Sequence, residues 1–320
     1  MRGLVIAVLL GAIALSKSSS LAADSTLTIA VFTKNTTNPA YSAFRLAADQ
    51  IGQATGARIV HFVPQQPDNV DEQKAMVEQV LKDRPNAVVF IPVDDVAMIE
   101  QVKKLNDAKI PIVLAANSLP GNFVAFVGAD DFAIGYRQAR YLFDHLSGKG
   151  KIVILEGTAG APTNRERLRG YKPALAETPG ITVLASASGS YQQADGKRVM
   201  AGFLAAHPEI DAVLSANDSM ALGALEALKE ASRTAAVIGI NGILPAVKRI
   251  ESGDMLATVD FNMFKIGCTA TRAALRYLRR EPLPDKVMLP AEVIDKDNYK
   301  AWLVPVEQRP CPEWADVVKP

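Results

Sequence analysis

From Thr26 to Val259 the apolar residues follow two alternating rhythms. Short runs rich in β-branched residues occupy 27–32, 57–63, 87–91 and 110–115, and a second series occupies 151–155, 181–185, 211–215 and 236–240. Several are apolar at every position, which suits strands covered on both faces. Between them the apolar positions recur at helical spacing: Phe44, Ala47 and Ile51 in 41–54, Val70, Met76, Val77 and Val80 in 70–81, and Leu222, Leu225 and Leu228 in 219–231. Alternation at this spacing predicts an α/β fold with parallel, doubly wound sheets and right-handed crossovers.

The alternation forms two blocks, about 26–128 and about 130–259, which meet after a short apolar run at 123–127. A third stretch, about 260–292, adds a helix over 265–278 and the turn Pro282-Leu283-Pro284. Beyond Tyr299 the chain reads as an extra tail punctuated by Pro305, Pro310, Pro312 and Pro320.

Composition narrows the function classes. With 49% hydrophobic and 22% charged residues the chain is not disordered, and 6% aromatic residues imply aliphatic cores. A net charge of +1 leaves no broad electrostatic footprint for nucleic acid or an anionic membrane. His61, His145 and His207 are isolated, so material for a metal site is scant.

The N-terminus reads as an export signal. Arg2 precedes an uncharged stretch over 4–15, then a serine run and Leu21-Ala22-Ala23. The apolar stretch is too short to span a bilayer, and the order basic, apolar, small is that of a cleaved signal peptide over 1–22. Export places the chain in an oxidising compartment, where Cys268 and Cys311 can bridge the third-stretch helix to the tail; two unpaired thiols are the alternative.

In open parallel sheets, ligands bind beyond the carboxyl ends of the strands. Those positions carry Lys34, Asn38-Pro39 and Tyr41, then Ala116-Asn117, then Thr163 to Arg167, and later Asn217-Asp218, Asn241-Gly242 and Asp260-Phe261-Asn262. Asn38 and Pro39 suit a helix start, and Thr163 with Glu166 has capping-box spacing. Arg165 and Arg167 are not explained by capping. With Tyr41, Tyr191 and Phe261 as flat surfaces, such a set suits a small polyhydroxyl solute, whose hydroxyls both donate and accept. Nucleotide, P-loop, zincin and nucleophile-elbow motifs are missing from the sequence. The pairs Asp94-Asp95 and Asp130-Asp131 read as caps or hinge contacts before an acid/base couple.

The chain resembles the periplasmic sugar-binding proteins of ABC importers, of the ribose-binding type, which share a fold with the ligand domains of LacI-type repressors. The resemblance covers about 26–300 and rests on Thr28-Ile29-Ala30-Val31 leading to Asn38-Pro39, Gly157-Thr158-Ala159-Gly160 leading to Arg165-Glu166-Arg167, Asn217-Asp218-Ser219-Met220-Ala221-Leu222-Gly223-Ala224, and Ile238-Gly239-Ile240-Asn241-Gly242. It implies two Rossmann-like lobes, 24–129 with 262–292 and 130–261 with 293–300, followed by a tail over 301–320. Three crossovers would fall near Ala129-Asp130, Phe261-Asn262 and Glu292-Val293. The binding residues it implies are Lys34, Asn38, Tyr41, Asn117, Arg167, Tyr191, Asn217, Asn241 and Phe261, with Asp260 as an alternative to Phe261 for pointing into the cleft.

Compared with ribose binders, this chain has Ala116-Asn117 for an Asp-Arg pair, Asn241 for Asp, Lys34 for Ser, Phe261 for Gln and Ile91 for Asn. Carboxylates are lost and a cation is gained. Either Asp260 or Asp218 pairs with Lys34 and Arg167, or the ligand brings negative charge. The resemblance implies an exported, monomeric, cofactor-free receptor that closes on a neutral sugar or polyol and delivers it to a membrane permease and its ATPase, touching the membrane only there. A sugar acid as solute, or a sensor feeding a membrane receptor, are the alternatives.

Overall fold

The computed structural model describes residues 26–318; the export signal read over 1–22 lies outside the described residues. The strands form because their side chains alternate between two dry layers. In β1 (Thr28–Phe32), Ile29 and Val31 enter one apolar cluster while Ala30 and Phe32 enter another. In β3 (Ala87–Phe90), Val89 follows the first pair and Val88 and Phe90 the second; in β4 (Ile112–Ala115), Val113 and Ala115 oppose Ile112 and Leu114. A period of two with both faces covered yields unbroken apolar runs.

These strands join β2 (Arg58–Phe62), β5 (Ala125–Gly128) and β11 (Lys286–Met288) in a parallel sheet ordered β11-β5-β4-β3-β1-β2. Helix α1 (Pro39–Thr55) packs with α9 (Met263–Leu278) on one face. On the other lie α2 (Val70–Asp83) and α3 (Ile99–Asp107).

The second sheet repeats the design with β6 (Gly150–Glu156), β7 (Ile181–Ser188), β8 (Ala212–Ser215), β9 (Ala236–Ile240), β10 (Ala257–Asp260) and β12 (Glu292–Ile294). Its order is β12-β10-β9-β8-β6-β7, and only β12 runs antiparallel to its neighbour. Edge strand β7 is half-buried rather than apolar throughout, as an edge position requires. Helices α4 (Asp131–His145) and α5 (Pro162–Glu177) cover one face; α6 (Gln193–Ala206), α7 (Asp218–Glu230) and α8 (Leu244–Glu251) cover the other.

The chain passes between the sheets after β5, after β10, and between β11 and β12. The tail then folds back in two 3₁₀ turns, Tyr299–Trp302 against α8 and Val306–Gln308 against α1, before α10 (Trp314–Val317). Cys311 is joined to Cys268 of α9, with the two Cα atoms 5.6 Å apart. The tail therefore touches both lobes. No described helix is long and apolar enough to cross a membrane.

One local expectation fails. The Thr163–Glu166 spacing does not form a capping box: the N-cap of α5 is Ala161, Pro162 follows it, and no side chain caps the helix. The Thr163 hydroxyl instead meets the Tyr191 hydroxyl at 3.0 Å, and Glu166 accepts from Arg169. Proline at the first helical position removes one of the N–H groups a cap would satisfy.

Candidate functional site

The carboxyl ends of both sheets face each other across a narrow cleft. On the first wall, the loop after β1 is tied by its own amides. Asn35 Oδ1 accepts from the Asn38 backbone N–H at 3.0 Å, and Asn35 Nδ2 donates to Asp68 Oδ1 at 2.8 Å. Asn38 caps α1 by accepting from Ala40 N–H, with Pro39 beginning the helix and Tyr41 two residues on. Lys34 sits behind this loop at 1% exposure, and among the described residues no carboxylate comes within ion-pair distance of it. Burial pushes its ammonium below the ordinary lysine range, with Asp68 the main opposing charge and Arg167 reinforcing the shift.

The second wall is built around Arg167, which is 3% exposed. Its Nε donates to Asp131 Oδ1 at 2.9 Å and its Nη1 to the Ala216 carbonyl at 2.6 Å. The guanidinium lies 4.9 Å from the centroid of the Phe261 ring, a cation–π contact. Burial lifts Asp131 to about 6 against the pull of Arg167. Burial is the largest influence on Arg167 and works against its charge, but Asp131, Tyr191 and Tyr171 together outweigh it and hold the guanidinium above its usual range. Asn217 Oδ1 caps α7 on Met220 N–H at 2.9 Å, while its Nδ2 donates to the Tyr191 carbonyl at 3.0 Å. Gly157 is required here, because a Cβ on it would lie 2.1 Å from the Tyr191 ring.

The lobes touch directly. Arg165 pairs with Asp95, Thr37 Oγ1 donates to Gln192 Oε1 at 2.9 Å, and Asn241 Nδ2 donates to Asn38 Oδ1 at 3.5 Å. A Cβ on Gly160 would meet Asp94 Oδ2 at 2.3 Å, so glycine permits this approach. Between the walls lies a cavity of about 20 Å³, bounded by Asn38, Tyr41, Arg167, Tyr191, Asn217, Asn241 and Phe261. That is room for about one water-sized sphere. Several of the surrounding strand ends hold non-glycine residues at positive φ: Asp68 at 57°, Ala116 at 57°, Tyr191 at 60° and Asn241 at 134°. Backbone strain of this kind concentrates where side chains are aimed at a ligand.

Three expected residues lie off the cavity. Lys34 stands behind the first wall. Asn117 is buried, with Nδ2 donating to the Pro92 carbonyl at 3.0 Å and Oδ1 meeting no donor. Asp260 turns away: its carboxylate accepts from Trp302 Nε1 at 2.8 Å and from Asn262 N–H at 2.7 Å. It lines a separate groove of about 600 Å³ between α1, α8, the start of α9 and the tail. Of the two alternatives the sequence left open, pairing of Asp260 or Asp218 with the buried cations does not occur. Asp218 is spent on Thr258 Oγ1 at 2.6 Å and Ile243 N–H at 3.0 Å, and Asp131 takes Arg167 instead.

Asn35, Ala40, Asp68, Thr163 and Met263 complete the lining, and sequence reasoning did not select them as ligand residues. Asp68 lies six residues past the end of β2, beyond Val63-Pro64-Gln65-Gln66-Pro67, so it does not sit at the strand end itself. Asp131 looked like one of a capping pair; Asp130 does cap α4, accepting from Ala133 N–H at 3.0 Å. The unexplained Arg167 was the signal that a buried carboxylate had to be nearby.

The ribose import binding protein of Salmonella typhimurium is 29% identical over 293 residues, covering 91% of this chain and 98% of that protein. A periplasmic solute binding protein of an ABC transporter from Actinobacillus succinogenes, solved with bound D-allose, superposes with a TM-score of 0.82 at 28% identity, over 86% of this chain and all of that one. An ABC transporter solute binding protein from Bacillus halodurans, solved with bound myo-inositol, gives a TM-score of 0.81 at 26% identity, over 88% of this chain and 99% of that one. Residues 29–282 match the family model described as periplasmic binding protein domain, and with that match covering most of its length the chain belongs to this family of binding proteins.

Proposed function

We propose that this chain is the periplasmic receptor of an ABC importer, which holds a neutral sugar or polyol between its two lobes and hands it unchanged to a membrane permease and its ATPase. The relatives solved with D-allose and myo-inositol, and the ribose import binding protein, support that solute class. The observation that carries the neutral reading is the charge balance around the cleft. Arg167 is paired with Asp131, and Lys34 lies in the field of Asp68, Asp131 and Asp94, so neither buried cation is left without opposing charge. A neutral solute leaves this balance intact, and its hydroxyls exchange hydrogen bonds with Asn35, Asn38, Asn241 and the Tyr191 hydroxyl. A carboxylate would add an uncompensated buried charge.

The direct lobe-to-lobe bonds make this a closed arrangement. A cavity with room for about one water does not hold a monosaccharide, so the lobes must part to admit the solute and then close on it with a wider gap than here. Binding then favours the closed state, because only there do both walls touch the solute. The chain performs no covalent step. Cleavage of residues 1–22 delivers it to the periplasm, where it works as a monomer.

Thermal unfolding with and without D-ribose, D-allose and myo-inositol, read beside small-angle scattering, tests the reading. One of these solutes should raise the melting temperature by mass action and reduce the radius of gyration. A stabilised protein whose radius does not change would contradict hinge closure, and no stabilisation by any neutral sugar or polyol would contradict the solute class.

A further inference from the structure

We infer that Trp302, in the C-terminal tail, is a positioning residue for the aromatic wall of the solute site and acts through Asp260. The inference rests on the interlobe cavity being that site. Trp302 does not line the cavity; it lines the separate groove beside the tail. Its indole Nε1 donates to Asp260 Oδ2 at 2.8 Å, and the other oxygen of the same carboxylate accepts from Asn262 N–H at 2.7 Å.

Phe261 lies between those two anchors. Asn262 has a φ of 57°, and its side chain donates to the Pro290 carbonyl at 2.6 Å. The turn 260–262 is therefore pinned at both ends. Its middle residue has one direction open, toward the cavity and under the Arg167 guanidinium. Without the indole, the carboxylate would have to hold the strained turn alone. Asn262 could then relax from the left-handed region, and Phe261 would swing with it.

Trp302 is itself fixed by the tail. Arg309 Nη2 donates to the Trp302 carbonyl at 2.8 Å, and Gln50 of α1 donates to the Arg309 carbonyl at 3.4 Å. Two residues further on, Cys311 is bonded to Cys268. The segment from Trp302 to Cys311 thus runs from the end of β10 in one lobe to α1 and α9 in the other. The tail is part of the binding apparatus rather than an appendage.

The test compares Trp302→Phe, which keeps a ring and loses the N–H donor, with Trp314→Phe, whose ring packs on Arg276 instead. In the solute-free protein, amide exchange of a peptide spanning 260–264 should accelerate about tenfold in W302F and stay unchanged in W314F. Titration with D-allose and myo-inositol should show an affinity loss of about tenfold for W302F only, measured on folded protein. Asp260→Asn, with one acceptor oxygen for two donors, should reproduce both effects if W302F folds poorly. A merely structural tail would lower the melting temperature while leaving the affinity of the folded protein intact, and that result would overturn the inference, as would unchanged exchange. Failure of the unmodified protein to bind any sugar or polyol would instead contradict the proposed function, and the exchange data would still decide whether Trp302 orders the turn.

Discussion

Lys34 and Arg167 are both buried cations at the carboxyl ends of parallel strands, yet the two walls treat them oppositely. The second lobe gives Arg167 a partner from its own fold: Asp131 begins α4, one helix before the α5 that carries the arginine. The first lobe gives Lys34 no ion pair among the described residues, and three of the charges it feels most, Asp68, Arg167 and Asp131, are divided between the lobes. The difference teaches that one wall is electrostatically complete by itself, whereas the other depends on what faces it. Arg167 is a fixed feature of its lobe, and Lys34 is the group whose environment changes when the cleft opens.

The sharpest way to break this comparison is Arg167→Ala. It strands Asp131 as an unpaired buried carboxylate, so equilibrium unfolding should show a loss of about 3–5 kcal/mol even without solute. Loss of solute stabilisation should accompany it. An Arg167→Ala protein as stable as the parent would mean that the pair does not organise its wall.

A second test is pH. Burial lifts Asp218 from its ordinary 3.8 to about 7, despite hydrogen bonds that favour the charged form. A carboxylate whose folded value is raised contributes stability below its unfolded value and loses it as pH rises through the folded one. Asp131, lifted to about 6, acts with the same sign. Stability of the solute-free protein should therefore fall between pH 4 and pH 7, with at least about 1 kcal/mol of the decline belonging to Asp218. Denaturation curves across that window should be flatter for Asp218→Asn; an equally steep decline would remove Asp218 from the account.

Lys34→Met should move stability in the opposite direction to Arg167→Ala. It removes a desolvated charge and leaves no partner orphaned, so solute-free stability should hold or rise by about 1 kcal/mol. Calorimetric titration should meanwhile show weaker solute binding, because the balance of charges around the closed cleft is disturbed. Destabilisation by several kcal/mol would show that Lys34 is as firmly paired as Arg167.

The smallest effect separates capping from contact. Asn38→Ala and Asn217→Ala each delete an N-cap, worth about 1 kcal/mol. Asn217→Ala also frees the Tyr191 carbonyl, so it should lower the melting temperature more than Asn38→Ala does. Equal shifts would mean that the Tyr191 contact adds nothing to stability.

The architecture was legible because the strands are apolar on both faces and the helices are not. Residues such as Ile29, Val89 and Leu214 have no other use, and a sheet covered on both sides is what their pattern demands. The second wall of the site was legible for a related reason: Asn217 and Asn241 follow strands directly, and Arg167 lies early in the helix after β6, where the fold delivers side chains into the cleft. What stayed hidden depends on pairs distant in sequence. Asp131 and Arg167 are 36 residues apart, and Trp302 and Asp260 are 42 apart. Neither separation leaves a periodic trace. The spacing of Thr163 and Glu166 misled because capping spacing is necessary for a box but does not enforce one where proline already starts the helix. Asp260 and Phe261 are adjacent on a strand end, so they must face opposite ways; the tail, through Trp302, decides which one turns to the cleft.

Isothermal titration of the protein with D-allose and myo-inositol, set against D-glucuronate, tests the central claim most directly. Saturable binding of a neutral sugar or polyol, with no heat from the sugar acid, is the result expected of a cleft whose two buried cations already lie in the field of Asp68, Asp94 and Asp131. Saturable binding of the carboxylate alone would contradict it.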